Sequence, residues 1–259
     1  MVLVHPSKLR RMENVAKKVL DTAKQEGAEF AEVVVSQNEF SLKRIRQGQV
    51  DQPPAGEQWG IDVALVKNGR RKAVRFDNPL FAEKIIKETM QKMDLLPEQE
   101  LYLPKESFPS VAQPENLYDQ KTAKLNDDHL IQIAKDVTTK LSNHNLSLSG
   151  KIAHSAGEVV YKNSLGTNQR AKFTQAVAAL FAFDKDDLFT SAYASSGGIA
   201  SDQIEKDRIV EELVEKCELQ QGKKKVDLFA SKQEGEELNI DVIVEPYFFR
   251  TIFEWLGFF

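Results

Sequence analysis

The chain has 259 residues, a formal charge of −4 and a pI near 5.7. That is long enough for a core needing no metal or disulfide, and acidic enough to exclude a general attraction to nucleic acid. Its single cysteine, Cys217, excludes an internal disulfide, and it lies in a helical pattern beside Leu213, Val214 and Leu219 as an inert buried thiol. The start, MVLVHPSKLRR, has no adequate apolar run before its charges, which excludes a secretory signal and predicts a cytoplasmic protein.

In chain order, Ser7 is placed to cap a helix to about Glu26 with Leu9, Met12, Ala16, Val19, Leu20 and Ala23 on its apolar face, and Gly27 is placed to stop it. From residue 28 to 76 the period changes to two. Ala31, Val33 and Val35 alternate with Glu32, Val34 and Ser36; Leu42, Ile45 and Val50 continue a broken rhythm; Ile61, Val63 and Leu65 alternate with Asp62, Ala64 and Val66. This is strand patterning. Asn68-Gly69 accepts the positive φ angles of a type I′ turn, so Arg71 to Phe76 returns antiparallel. A helix feeding such a meander predicts an α+β layer rather than a doubly wound sheet.

Asn78-Pro79 then starts a helix carrying Ile85, Ile86, Met90 and Met93. Residues 96–125 hold Pro97, Pro104, Pro109 and Pro114 with weak periodicity and read as a linker or crossing segment. Asp127 or Asp128 opens a helix to about Asn143. A second β-rich stretch follows: a strand from Leu146 to Ile152, another at Val159–Tyr161, a turn at Asn163-Ser164-Leu165-Gly166, a long strand from Phe173 to Phe183, and one from Phe189 to Ala194 broken by Ser195-Ser196-Gly197-Gly198. A helix from Ile204 to Leu219, a strand from Leu238 to Val244 and a last helix after Glu245-Pro246 complete the order. The fold class expected is α+β, with helix-covered antiparallel sheets in two successive subdomains. The domains expected are 1–95, the linker 96–125, a central α+β domain 126–230, and the start of a C-terminal domain at 231–259.

Chemical signatures are scarce. There is no glycine-rich phosphate loop and no G-x-S-x-G elbow, and His5, His129, His144 and His154 form no i, i+4 pair for zinc. No catalytic residue and no metal ligand is assigned. The basic cluster Lys67, Arg70, Arg71, Lys72 and Arg75 reads as a solvated hairpin end that resists aggregation. The last segment, from Pro246 to Phe259, is apolar almost all round, too short to span a bilayer and without the basic face of a membrane anchor. Either another chain covers it or the sequence is the front part of a longer protein; the second reading is adopted.

Four features in order resemble the TldD/PmbA family of modulators of DNA gyrase and metallopeptidases. They are a leading helix ending in Gly27-Ala28 before Ala31-Glu32-Val33; Arg46-Gln47-Gly48-Gln49-Val50, similar to an R-x-G-x-[VIL] strand; Gly60 to Ala64 leading to Asn68-Gly69-Arg70; and the N-S-x-G turn Asn163 to Gly166, followed by Ser195-Gly197-Gly198. Arg46, Gly48, Gly60, Gly69, Asn163 and Gly166 are expected to be structural. The resemblance covers the N-terminal and central domains, and the family's further C-terminal β-rich domain is missing. One family branch carries HExxxH on the helix after an E/D-P-like turn. At the equivalent stretch here Phe253 and Phe258 stand at the histidine positions, with Glu254 beside Phe253, and phenylalanine has no lone pair for a metal.

The resemblance therefore implies the PmbA/TldE-like branch: a non-catalytic subunit, without a cofactor of its own, of a cytoplasmic protease acting on extended peptides. Zinc would belong to a TldD-like partner subunit; a homo-oligomer is the other assembly implied. The alternatives are an active metallopeptidase when full length, and a non-enzymatic regulatory binding module.

Overall fold

The computed structural model describes residues 6–99, 104, 106–109, 115–187, 189–223 and 243–257. The chain divides into two units, residues 1–221 and 222–259. In the first, helix α1 (Pro6–Gln25) leads to strands β1 (Phe30–Arg46), β2 (Gln49–Gln52), β3 (Ala55–Lys67) and β4 (Arg70–Phe76) and helix α2 (Ala82–Gln91). Helix α3 (Asp127–Ser142), strands β5 (Leu146–Asn163), β6 (Asn168–Asp184) and β7 (Ser191–Gly198), and helix α4 (Lys206–Glu218) follow. The second unit's described helix is α5 (Pro246–Leu256).

Local signals act as their chemistry requires. Gly27 takes a φ of +85°, and Ala28 N–H closes back on the Ala23 carbonyl at 2.9 Å to end α1. Asn68 and Gly69 both have positive φ at the β3–β4 turn. Asn78 caps the turn before α2 by accepting from Leu80 N–H at 3.0 Å. Helix α1 begins at Pro6, so Ser7 lies inside it rather than capping it.

The seven described strands form one sheet, in the order β4-β3-β1-β5-β6-β7 with β2 beside the end of β1. Every pairing is antiparallel. The two β-rich stretches are thus both present, and β1 paired with β5 from Glu32–Asn163 to Ile45–Gly150 joins them. Two expected breaks are absent. Leu146–Ile152 and Val159–Tyr161 belong to the single strand β5, whose polar centre is held by ladders to β1 on one side and β6 on the other. Ser195 to Gly198 continues β7 instead of ending it. Glycine is required at 197 because a Cβ there would lie 2.3 Å from the Ala176 carbonyl oxygen, while one at Gly198 would displace the Gln203 side chain, whose Oε1 it would meet at 2.2 Å.

The four α-helices described in this unit pack on one face of the sheet. Met12, Ala16, Val19, Ile86 and Met90 of α1 and α2 meet Val33, Val35, Ile61, Val63 and Leu65. Leu130, Val137, Leu141, Ile209 and Leu213 of α3 and α4 meet Ile45, Leu148, Ile152, Ala178 and Leu180. Alternation along β1 places both sets on the same side. The linker crosses to this sheet on polar anchors: Phe108 N–H and Asp119 N–H donate to the hydroxyls of Thr167 and Thr174, at 2.9 and 2.8 Å, and Ser201 N–H to the buried Thr122 hydroxyl at 2.7 Å.

Helix α4 closes the outer edge of β7. Gln220, just past its end, donates to the Ser191 carbonyl and accepts from Ser191 N–H, Lys216 donates to the Tyr193 carbonyl, and Arg208 to the Ser195 carbonyl. Glu212 accepts from both Arg208 and Lys216 and holds them in place. Lys216 and Gln220 lie one helical repeat apart, about 6 Å, which matches the spacing of about 6.6 Å between the Tyr193 and Ser191 carbonyls, and Arg208, two turns earlier, reaches the Ser195 carbonyl with its longer side chain.

Gly150, with a φ of +131° and a virtual Cβ 2.3 Å from the Ala179 carbonyl oxygen, faces both strain and collision if substituted; Gly69, at +67°, has nothing within 4 Å. Gly150→Ala is therefore expected to lose about 2–3 kcal/mol in urea unfolding and Gly69→Ala about 1 kcal/mol, and equal losses would contradict this packing.

Candidate functional site

Among the described residues, no helix of the first unit lies over the face of the sheet opposite the four α-helices. It carries the even-numbered side chains of β1 and their cross-strand partners. At one end Arg44 and Arg46 of β1 stand beside Lys151 of β5, and Phe181 of β6 lies against Tyr193 of β7 with ring centroids 4.8 Å apart. Between them is a groove of about 600 Å³. Its floor holds the small residues Gly150 and Ala179. Arg44 donates to Gln52 Oε1 at 3.2 Å, which leans it toward β2, where Asp51 supplies the one carboxylate of the lining. A second hollow of about 320 Å³ at the other end of this face is charge-balanced, with Glu32 and Asp62 beside Arg71 and Arg75.

The helix-covered face holds a polar cluster between its two apolar layers. The Lys43 side chain is fully buried, and its ammonium donates to Asp127 Oδ2 at 2.8 Å and to the Ser41 hydroxyl at 3.1 Å. Ser41 in turn donates to Asp127 Oδ1 at 2.6 Å, and His154 is Ser41's cross-strand partner. Serine, lysine, aspartate and histidine together suggest a hydrolase, but the geometry does not assemble one. The ammonium is committed to an ion pair and has no lone pair to take the serine proton. Asp127 is the first residue of α3, whose N-cap is Asn126, accepting from His129 N–H at 3.1 Å. The cluster fastens α3 to β1. Hydrogen bonds from Lys43 and then Ser41 hold the Asp127 carboxyl below its ordinary range, and burial pushes the His154 imidazole down, against the partial opposition of Asp127.

The six motif positions are dispersed through the first unit. Gly48, with a φ of +76°, turns β1 into β2, and its N–H donates to the Leu148 carbonyl at 2.7 Å. Gly60 packs under Ser36, whose hydroxyl oxygen would lie 2.6 Å from a Cβ there. Gly69 forms the β3–β4 turn. Asn163 is buried and its Oδ1 accepts from Leu165 N–H and Thr167 N–H, while Gly166, at +95°, closes the loop. Ser164 bonds Ala31 twice, through its N–H to the carbonyl and its hydroxyl to the N–H, so this turn locks the second half of the sheet onto the start of β1. Arg46 stands apart from the other five: it is exposed and lines the groove. Arg44, Lys151, Phe181 and Tyr193 were not legible as a group in the sequence, since only strand register brings them together.

In the second unit α5 begins at Pro246, ends at Leu256 and is capped by Gly257. Phe253 is on this helix and about two-thirds exposed; Phe258 lies outside the described residues, as does most of the strand expected over Leu238–Val244. Phe253 offers no lone pair, and among the described residues no three imidazole, thiol or carboxylate groups converge as a metal requires. The residues described do not fit a zinc ion. Among them, no helix is long and apolar enough to cross a membrane.

This architecture is that of the TldE and gyrase-modulator proteins. A proposed modulator of DNA gyrase from Bacteroides thetaiotaomicron superposes with a TM-score of 0.71 at 20% identity over 83% of this chain and 51% of its own. TldE from Thermococcus kodakarensis gives 0.66 at 13% identity, over 79% of this chain and 47% of its own. A proposed modulator of a DNA gyrase from Thermotoga maritima gives 0.66 at 14% identity, over 83% and 50%. This chain thus spans about half the length of the solved structures it matches. No family model matches the sequence, and no curated protein matches it.

Removing Asp127 strands a buried ammonium, whereas removing Lys43 leaves a carboxylate that is half exposed and can be hydrated. Asp127→Ala is expected to cost about 2–3 kcal/mol and Lys43→Met about 1 kcal/mol or less, read from urea midpoints; the reverse order would refute the fastening role.

Acid should unfold the protein in two steps. His154 is depressed on folding, so the unfolded chain takes up the extra proton and stability falls as pH drops below 6.5. Hydrogen bonds from Lys87 and then Lys18 hold Glu83 at about 2 instead of 4.5, and Asp119, Asp127, Asp136 and Asp207 are depressed too. Their stabilisation is complete above the unfolded range and is lost as pH falls from about 4.5 toward 2. Urea midpoints across this range should lose only the upper step in His154→Asn.

Proposed function

We propose that this chain is a TldE/PmbA-like, non-catalytic subunit of a cytoplasmic zinc metallopeptidase pair acting on extended peptides. The observation that carries the reading is the fold shared with TldE over most of this chain, in a sequence with phenylalanine at Phe253 where the family's metal-binding branch carries histidine. A TldD-like partner supplies the zinc site, and this chain supplies recognition and enclosure. The closed edge of β7 leaves no room for strand addition there, so side chains on the open sheet face are the better placed recognition elements. One observation favours a second reading, an active peptidase in its own right: about half of each solved relative has no counterpart here, and metal ligands could lie in that half.

The test is a pull-down of this chain, tagged in its own host, under native conditions with mass spectrometry of what co-purifies. A stoichiometric partner carrying HExxxH is the expected result. Recovery of the bait alone, soluble and monodisperse, would overturn the paired reading, and zinc retained by the bait alone would favour the second.

A further inference from the structure

We propose that the groove over β1, β5, β6 and β7 binds an acidic extended peptide, with a carboxylate side chain of the peptide at Arg44, Arg46 and Lys151 and an apolar neighbour on the Phe181–Tyr193 pair. The proposal takes the ligand class, a peptide, from the function proposed above; the site and its charge preference come from the groove.

Charge is the first argument. The lining holds three cations against the single carboxylate of Asp51, in a chain whose net charge is −4. Arg44 and Arg46 are two residues apart on one strand, so both side chains leave the same face from backbone positions about 6.6 Å apart, and Lys151 pairs directly with Arg44 across the β1–β5 ladder. A carboxylate entering between them receives forked donors from arginine and a third cation from the side.

Shape is the second. About 600 Å³ is the size of an ordinary small-ligand site, and its floor holds the small residues Gly150 and Ala179. Phe181 is exposed, and its ring lies tilted against Tyr193 at 4.8 Å and stacked with Phe183 at 6.3 Å, which makes a broad apolar wall facing the cations. The cationic wall on β1 and the aromatic wall on β6 are two strand spacings apart, about 10 Å. In an extended peptide the residues that share a face are two or four positions apart, about 6.6 or 13 Å, which bracket that span, so an acidic residue and an apolar residue two or four positions along reach both walls.

Charge distribution selects a peptide over single-stranded nucleic acid, which also favours cations beside aromatics. A nucleic-acid backbone needs a continuous basic track. On this face the cations in excess of carboxylates are confined to one end, because the second hollow sets Glu32 and Asp62 beside Arg71 and Arg75. A single carboxylate needs no track.

The test titrates the whole chain with a fluorescent capped peptide, Ala-Asp-Ala-Phe-Ala-Phe, with its Asn counterpart, and with an eight-residue oligothymidine. The Asp peptide is expected to bind at least tenfold more tightly than the Asn peptide and to weaken as salt is raised from 50 to 500 mM. Arg46→Ala/Lys151→Ala should remove that preference with an unchanged urea midpoint, since both side chains are exposed. Equal binding of the two peptides overturns the proposal without any variant being needed. Oligothymidine binding lost in the same variant, with no peptide preference, replaces it with a nucleic-acid site. The pairing reading fails separately: the pull-down can lose the HExxxH partner while this preference stands, or retain that partner while the preference is absent.

Discussion

The antiparallel pairing of β1 with β5 is the interaction on which the rest of the structure depends. It joins residues more than a hundred positions apart in an unbroken register from Glu32–Asn163 to Ile45–Gly150. The entropy of closing so long a loop is recovered only when the whole ladder forms, so the two α/β halves are cooperative parts of one sheet. Around this seam the ties are reciprocal. Ser164 grips Ala31 at one end, and Gln47 and Gly48 N–H groups reach Ser149 and Leu148 at the other.

The sheet is chemically asymmetric because the four α-helices described in the first unit lie on one side. That side contains two apolar layers, and a continuous strand must pass beneath the gap between them. The gap is where Gln37, Ser41 and Lys43 are buried. A charged residue survives there because α3 begins directly above it with Asp127, so the ion pair orients a helix N-terminus as well as satisfying the ammonium. What resembles a catalytic constellation by composition is, by geometry, a fastening.

The two edges of the sheet are treated differently. Side chains from α4 and Gln220 occupy the carbonyls of β7, while β4 carries Arg71, Lys72 and Arg75, charges that discourage another chain from pairing. Arg70 is drawn from that cluster to hold the Leu96 carbonyl and Glu98, so part of the basic run is structural. With the β7 edge closed and one face roofed, the open face is where this unit offers a shaped, charged surface.

The sequence by itself determined the local events. Gly27, Asn68-Gly69 and Asn78-Pro79 act through φ preferences and side-chain caps that involve only near neighbours, and the helical and period-two patterns follow from backbone geometry. It also showed that Phe253 cannot hold a metal, because that is a property of the side chain alone. Only tertiary structure decided that β1 and β5 are continuous. Lys43, Glu39 and His154 interrupt the apolar rhythm, and nothing local says that Asp127 will meet Lys43 or that β5 will pair with β1. The same holds for Ser195 to Gly198, which reads as a break, whereas the nearby backbone of β6 demands the glycine at 197 and the Gln203 side chain packs against Gly198. The groove was least legible of all. Arg46 was visible as part of a motif, but its neighbours Lys151, Phe181 and Tyr193 come from three other strands, and their meeting is fixed by long-range register, which residue order does not encode locally.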